Sequence, residues 1–385
     1  MKVSRQVLFC LPSISRAGGG VAESARLQAL ALASGPDIDV SVMAFNDEHF
    51  NLDIGGWQNI RVRSFRTYGP KSYSFSPCLL LALLRERPDV VHVHGVWQFH
   101  CLAVYIWSLL TGGIYVVTPH GMLETWIRAR SPRLKALVSS LYQNRFLRRA
   151  AAFQVLTDRE VNDVADFAHG QPVEIIPNYV APFSRDNTPP IWWRREYEGK
   201  DVYLFLGRIH EKKGCLELCQ AWGDICGRRS VFRDRSLLVY CGWNDGLTGF
   251  EDAVSALNAQ FGNAVFAGPQ YGAEKQRSLS RATFFVLPSK SEGLPMSILE
   301  AWSARIPVVM TEECNLPIGF DRKAAIRTGS DRQSIGSSLE DACALTEGDR
   351  KTLAENGYLL LQERFSQGGV REALVRLYDQ ARQTS

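Results

Sequence analysis

Residues 283–310 read TFFVLPSKSEGLPMSILEAWSARIPVVM, and the order of residue types in this stretch decides the fold. The apolar run at 284–287 has the length and aromatic content of a buried strand. A polar loop follows, then a helix opened by Pro295, whose fixed φ suits a first helical position. A second apolar strand closes the stretch at 306–310. Strand, crossover helix and strand in so short a space is the grammar of a parallel sheet. Ligands of open α/β sheets bind beyond the carboxyl ends of the strands, so the loop after residue 287 is the first place to look for chemistry. Glu292 in the loop and Glu300 on the helix frame it, with Gly293, Leu294, Pro295 and Met296 directly after the first. Gly293 lets the backbone approach a ligand closely. The N–H groups of Met296, Ser297 and Ile298 are expected to face an anion such as a phosphate.

The same alternation runs outward through the chain. In the first half, strands are expected at 6–11, 40–45, 90–94, 114–118, 151–156 and 173–176. Helices interleave from about 20, near 79–85, through 107, at about 132–149 and near 158–168. The second half restarts with strands at 202–206, 237–241, 264–267, 284–287, 306–310 and 324–326, and helices near 214–226, 249–261, 272–281 and 295–304. Each half therefore reads as a doubly wound, Rossmann-like α/β domain with helices on both faces of a parallel sheet. Two domains also suit a chain of 385 residues. Residues 178–200, NYVAPFSRDNTPPIWWRREYEGK, break the rhythm with prolines and charges. The expected division is thus 1–178, a hinge at 179–200, a second domain at 201–365 and a last helix at 366–385. The C-terminal helical pair, about 348–382, ends amphipathically through Val370, Leu374, Leu377 and Tyr378.

Composition removes several function classes. A net charge of +4 is too small by itself to argue for nucleic acid. Nine cysteines are scattered without a CxxC pair, and Cys215, Cys219 and Cys226 fall on one expected helix. They read as small core residues in a reducing compartment. The N-terminal apolar run is too short for a signal peptide and is taken as the first strand. The apolar stretch 101–117 is split by Thr111-Gly112-Gly113, leaving nothing long enough to span a bilayer. A cytoplasmic protein is expected. Asp37-Ile38-Asp39 precedes a strand, where a metal-binding pair should follow one, so it is read as a turn, and neither metal nor cofactor is expected.

Two glutamates eight positions apart are equally a solvated loop acid and a solvated helix acid when taken bare. In the setting SEGLPMSILEAW, Glu292 and Glu300 resemble the Glu-x7-Glu element of the retaining GT-B glycosyltransferases, family 4 in particular. A second segment, Gly207-Arg208-Ile209-His210-Glu211-Lys212-Lys213-Gly214, puts Arg208 and Lys213 at a strand end beside a helix N-terminus. Two cations with oriented amides suit a diphosphate, though a basic surface loop has the same composition. The segment is similar to the family's Gly-Arg…Lys-Gly phosphate clamp, with Lys213 as the motif lysine and Lys212 its solvated neighbour. Ala267-Gly268-Pro269-Gln270-Tyr271 resembles the loop that holds the nucleotide base through backbone groups, and Tyr271 either stacks on the base or packs at the rim. The resemblance further implies that Glu300 takes the ribose hydroxyls and Glu292 the sugar hydroxyls. It also implies two domains facing across a cleft, with the last helix crossing back onto the first.

The first domain is expected to bring the acceptor. Ser15-Arg16-Ala17-Gly18-Gly19-Gly20 joins the first strand to the first helix as the family's glycine-rich loop does, and a plain turn would look alike. Thr118-Pro119-His120-Gly121-Met122-Leu123-Glu124 places His120 just past a strand, where relatives carry a histidine that reaches the donor sugar. His94 and Trp97, in HVHGVW, end another strand and with Glu124 are expected to line the acceptor pocket. His92 points the other way and reads as core. A nucleoside diphosphate departs as a stabilised anion, so no carboxylic acid need protonate it, unlike a glycosidase leaving group. Developing phosphate charge falls to Arg208, Lys213 and the helix amides, and the catalytic set is expected to be Glu292, His120, Arg208 and Lys213. No nucleophile stands out, which fits the retaining, same-face mechanism that the resemblance implies, with the departing phosphate as base.

From 129 to 157 the chain has no Asp or Glu, while Arg128, Arg130, Arg133, Lys135, Arg145, Arg148 and Arg149 cluster there. With Leu134, Leu137, Leu141 and Phe146 they suggest a basic amphipathic helix at 128–149 of the kind that rests on anionic membrane, or a core-packed helix with a solvated basic face. The expected activity is transfer of a sugar, taken as a hexose, from a UDP- or GDP-sugar to a glycan or lipid-linked glycan. Capsule, exopolysaccharide or lipopolysaccharide synthesis at the cytoplasmic leaflet is the expected setting. After Met310 the chain departs from the family, which often has a glycine-rich turn and a glutamate there. It carries Thr311-Glu312-Glu313-Cys314-Asn315-Leu316-Pro317 instead. A cofactor-dependent phosphorylase would need far greater length, and an epimerase would lack the combination of Arg208 and Lys213 with Glu292 and Glu300. A non-catalytic sugar-nucleotide or glycan-binding protein would tolerate Glu292→Gln and His120→Ala without functional loss.

Overall fold

Each half of the chain builds one parallel sheet, because its central strands are apolar on both faces and need helices on both sides to cover them. The structure is a computed structural model and describes residues 5–123 and 138–383. The first unit runs to Tyr179 and takes back the chain from Ser366, while the second is Val180–Phe365.

The first unit holds β1 (Arg5–Leu11), β2 (Ile38–Phe45), β3 (Arg61–Phe65), β4 (Val90–His94), β5 (Ile114–Thr118), β6 (Ala152–Val155) and β7 (Val173–Ile175). Their order is β3-β2-β1-β4-β5-β6-β7, so the winding reverses between β1 and β4, where Val7 pairs with Val40 on one side and Val90 on the other. The carboxyl ends of these two strands form the crevice that doubly wound sheets use for ligands. β3 is an addition to the expected strands. Its alternation, RVRSF, keeps Arg61 and Arg63 at the edge, where both pair with Glu86 at 3.0 and 2.5 Å.

The helix expected at 132–149 is described only from 138, as a π-helical turn Ser139–Gln143 running into the helix Asn144–Arg149. The last helix, Gln367–Gln383, buries Val370, Leu374, Leu377, Tyr378 and Ala381 on the first unit. Asp37 pairs with Arg371 of that helix, and β2 begins at Ile38, so Asp37-Ile38-Asp39 is not simply a turn but a helix anchor leading into a strand.

The second unit holds β8 (Asp201–Leu206), β9 (Ser236–Cys241), β10 (Ala264–Gly268), β11 (Phe284–Leu287), β12 (Val308–Met310) and β13 (Ala325–Arg327), ordered β10-β9-β8-β11-β12-β13. β12 is shorter than expected because Ile306 still donates its N–H to Ala301 O and closes the preceding helix. That helix is Met296–Ser303, with Pro295 as its cap and not its first residue. The segment after residue 179, expected as a hinge, belongs to the second unit from Val180 on. Phe183 N donates to Ser303 Oγ at 3.0 Å, Asp186 pairs with Arg277 at 2.9 Å, and buried Trp192 donates to Ser278 Oγ at 2.9 Å.

Candidate active site

Four strand ends of the second unit converge on one cluster. After β8, Gly207 passes so close to Gly242 that a Cβ on the latter would lie 1.7 Å from Gly207 O. Arg208 then reaches Asp245 at 3.1 Å, both side chains being exposed. His210 caps the short turn Glu211–Lys213 by accepting from Lys212 N at 3.1 Å. Gly214, at φ +66°, brings this turn against the loop after β11, and Lys290 N donates to Lys212 O at 2.7 Å across the join. The result is an ion pair between Lys213 Nζ and Glu292 Oε1, with side chains only 15% and 10% exposed. Ser289 Oγ donates to the same carboxylate oxygen at 2.5 Å.

The loop after β12 is what holds Glu292 in place. Glu292 N donates to Glu313 O at 3.0 Å, and Thr311 Oγ1 donates to Ser289 O at 2.6 Å. Asn315, in the left-handed region at φ +56°, donates its amide to Glu292 O and, at 3.1 Å, to Gly293 O. An asparagine thus does here what a glycine turn cannot, because it adopts the left-handed conformation and also brings a donor. Burial pushes the neighbouring Cys314 thiol up to about 12, so it is inert as a nucleophile. Glu300 pairs with Lys275 at 2.5 Å, on the helix that Tyr271 precedes. Leu294 and Pro295 are buried under the loop. Of the three amides expected to face an anion, that of Ile298 is spent on Pro295 O at 3.1 Å.

In the first unit, Ser13 and Ser15 donate to Asp47 at 2.6 and 2.7 Å, and Arg16 pairs with Asp53 at 2.6 Å. Gly19 needs its φ of +56° to turn the chain into the helix Gly19–Ala33, with Gly18 and Gly20 on either side. At the ends of β4 and β5 the structure brings His94 and His120 together: Nδ1 to Nε2 is 3.0 Å and the stacked rings are 5.3 Å apart. His120 is partly exposed, but His94 is fully buried beneath it and does not line a pocket. Trp97 donates its indole N–H to Met122 O at 3.0 Å. His92 is core, bonded to Tyr378 OH at 2.8 Å and Thr118 Oγ1 at 2.7 Å, but it does not point the other way: two residues from His94 it shares that face, with the ring centroids 4.3 Å apart. Burial lowers His92 and His120 to about 3 and His94 well below its ordinary value, so all three are neutral at pH 7. Glu124, Arg128, Arg130, Arg133, Lys135, Leu134 and Leu137 lie outside the described residues. No group of three or more His, Cys, Asp or Glu able to hold a metal occurs among the described residues.

The sequence profile for Glycosyltransferase Family 4 matches residues 18–182, and that for Glycosyl transferases group 1 matches 200–355. This chain belongs to glycosyltransferase family 4. Among curated relatives of the family, the putative teichuronic acid biosynthesis glycosyltransferase TuaC of Bacillus subtilis is 27% identical over 47% of this chain and 43% of its own. The sulfoquinovosyl transferase SQD2 of Arabidopsis thaliana is 24% identical over 64% of this chain and 47% of its own, so the match spans under half the length of each relative. Among solved structures, HepE of Anabaena in complex with UDP and glucose superposes with a TM-score of 0.74 at 16% identity, covering 97% of this chain and 98% of that one. Sucrose-phosphate synthase of Thermosynechococcus elongatus gives 0.73 at 16%, covering 99% and 100%. These likenesses establish the fold as GT-B.

Of the family 4 residues expected, Lys213 and Glu292 meet directly, Arg208, Gly207, Gly268 and Tyr271 lie at strand or helix ends of the second unit, and Glu300 lies within the helix Met296–Ser303. Ser289, Lys275, Asn315 and Asp245 were not foreseen. Only Asn315 carries a signal in the sequence, as an asparagine ahead of Leu316-Pro317 where a left-handed residue can end a turn.

Proposed function

We propose that the chain transfers a sugar from a nucleoside-diphosphate donor to a glycan or lipid-linked glycan, with retention of configuration and without a metal. The observation that carries this reading is the largely shielded ion pair of Lys213 with Glu292, which also accepts from Ser289, after β8 and β11, with Arg208 following β8 as well. An incoming diphosphate competes with the carboxylates for Lys213 and Arg208. Its binding frees Glu292, still held by Ser289 and Asn315, for the sugar hydroxyls. Glu300, steadied by Lys275, takes the ribose. The diphosphate leaves as a stabilised anion, so no acid is needed, and its own oxygen accepts the acceptor's proton on the same face. HepE, whose structures hold UDP, and TuaC, named for a surface polymer, support a UDP-sugar and a surface polysaccharide.

Thermal unfolding with UDP, GDP or ADP in EDTA tests this. One nucleotide at about 100 times its dissociation constant is expected to add roughly 2.7 kcal/mol. No shift from any of the three would sink the reading.

Within this proposal the chain works in the cytoplasm and meets a lipid-linked acceptor on an anionic membrane. Among the described residues no helix is long and apolar enough to cross a bilayer. Leu109, Leu110 and Leu141 are 53%, 68% and 60% exposed, and Arg149 donates to Ser108 Oγ at 3.0 Å, tying the helix with exposed Arg145 and Arg148 to the end of the helix Phe99–Thr111. Sedimentation with phosphatidylglycerol vesicles is expected to bring the protein down. Replacing Arg145 and Arg148 by Gln should weaken partition about thirtyfold, at about 1 kcal/mol per charge. Equal sedimentation with neutral vesicles would end this part of the proposal.

A further inference from the structure

The imidazoles at the ends of β4 and β5 share one proton, and its place can be argued. His94 Nδ1 and His120 Nε2 lie 3.0 Å apart, and both rings are neutral, so one nitrogen of the pair donates and the other accepts. If His120 donated through Nε2, the neutral His94 would carry its own proton on Nε2. That atom is fully buried and has no hydrogen-bond partner. Orphaned buried N–H groups are rarer and costlier than under-used acceptors. If His94 donates through Nδ1, its buried Nε2 is a bare lone pair on a ring packed against Phe9 and His92, with centroids 4.7 and 4.3 Å from its own. His120 must then keep its own proton on Nδ1, an atom with no bond to any described residue.

The backbone at these strand ends is tightly turned. His120 and Gly121 sit at φ +54° and +71°, and a Cβ on Gly95, at φ +78°, would lie 3.3 Å from Met122 Cε. The adjacent ring is fixed in the opposite sense. Thr118 Oγ1 donates to Gln154 Oε1 at 2.9 Å, and Gln154 Nε2 donates to Ile176 O at 2.9 Å. Thr118 must therefore accept from His92 Nε2–H, and His92 Nδ1 accepts from Tyr378 OH.

We infer that His94 is a positioning residue that locks His120 in its Nδ1–H tautomer, so that His120 presents a neutral N–H donor to a ligand oxygen at the carboxyl end of β5. This rests on the proposed sugar-transfer function, whose ligands carry hydroxyl and phosphate oxygens. An uncharged donor binds a sugar hydroxyl or phosphate oxygen without an imidazolium having to be desolvated, and it stays a donor across the neutral pH range.

Long-range proton–nitrogen spectra of histidine-labelled protein report the tautomer of each ring and need no substrate. The chain has seven histidines, and His120→Gln and His94→Phe assign the two in question. His120 is expected as Nδ1–H with a bare Nε2, unchanged from pH 8 to pH 5.5, and His92 as the opposite tautomer. In His94→Phe, with an unshifted His92 reporting an intact fold, His120 is expected to become a tautomer mixture. Should that variant not fold, His94→Leu, which likewise has no donor, replaces it, and the wild-type spectrum alone still decides the tautomer. An Nε2–H tautomer for His120, its titration in that range, or a pure Nδ1–H state surviving in the variant overturns the inference. Loss of the nucleotide-dependent thermal shift would instead count against the proposed donor site.

Discussion

Lys213→Ala is expected to abolish nucleotide-dependent stabilisation and to lower turnover by about 10²–10³-fold, the usual cost of deleting one preorganised donor to developing charge. The lysine does two jobs in sequence. Before binding it neutralises Glu292 in a setting where both side chains are largely shielded from water. Its removal leaves that carboxylate unpaired, at a cost of about 1–3 kcal/mol to the second unit. Glu292→Gln behaves differently. The amide oxygen still accepts from Ser289, and the backbone bonds from Asn315 and to Glu313 are untouched, so the loop keeps its shape. That variant is expected to hold nucleotide as well as the wild type does or better, since Lys213 no longer has a carboxylate to leave, yet to turn over at least about 10²-fold more slowly. The double variant should recover the stability that Lys213→Ala loses, because no charge is then stranded. A full nucleotide shift in Lys213→Ala, measured by calorimetry, would show that the phosphates bind elsewhere.

The alternation of apolar strands and helices was legible because buried parallel strands leave runs such as VYLFL and LLVYC that few other structures need. β3 escaped because its charged alternation resembles a polar loop. The helix Arg332–Ala344 escaped because Ser334, Gly336, Ser337 and Ser338 dilute its apolar face. Residues 180–200 read as a hinge because composition records prolines and charges, whereas what fixes the segment is where Trp192 goes. The site shows the same division. Lys213 and Glu292 each stood out in a local motif, but they are 79 positions apart, and their pairing is a product of the sheet order. Ser289, Lys275 and Asn315 act through contacts that only the tertiary fold creates. His94 was misjudged because His92 was taken to point the other way, whereas residues two apart on a strand share a face, and the two rings lie 4.3 Å apart. In a central strand covered on both sides, His92 and His94 are equally buried.

Gly214→Ala is expected to destabilise the second unit by about 2–5 kcal/mol and to take the nucleotide site with it. Two penalties combine. An L-residue at φ +66° carries the left-handed cost of about 1–2 kcal/mol. The added Cβ would lie 2.3 Å from Pro288 O, a backbone atom directly after the fully buried β11, which has no room to retreat. Relief must come from moving the Glu211–Lys213 turn away from the loop, which pulls Lys213 from Glu292. Asparagine separates the two terms, since it tolerates the left-handed region but keeps the Cβ. Gly214→Asn should therefore be nearly as damaging as Gly214→Ala. Gly268 is the control. At φ +69° it has the same backbone demand, but no atom lies within 4 Å of a Cβ there, so Gly268→Asn should be tolerated within about 1 kcal/mol. The two units need not melt together, so calorimetric transitions must be resolved before a shift is assigned. A Gly214→Ala protein whose second unit melts within about 1 kcal/mol of the wild type would mean that the Pro288 carbonyl can yield. The contact that joins the phosphate turn to the Glu292 loop would then be softer than the geometry requires.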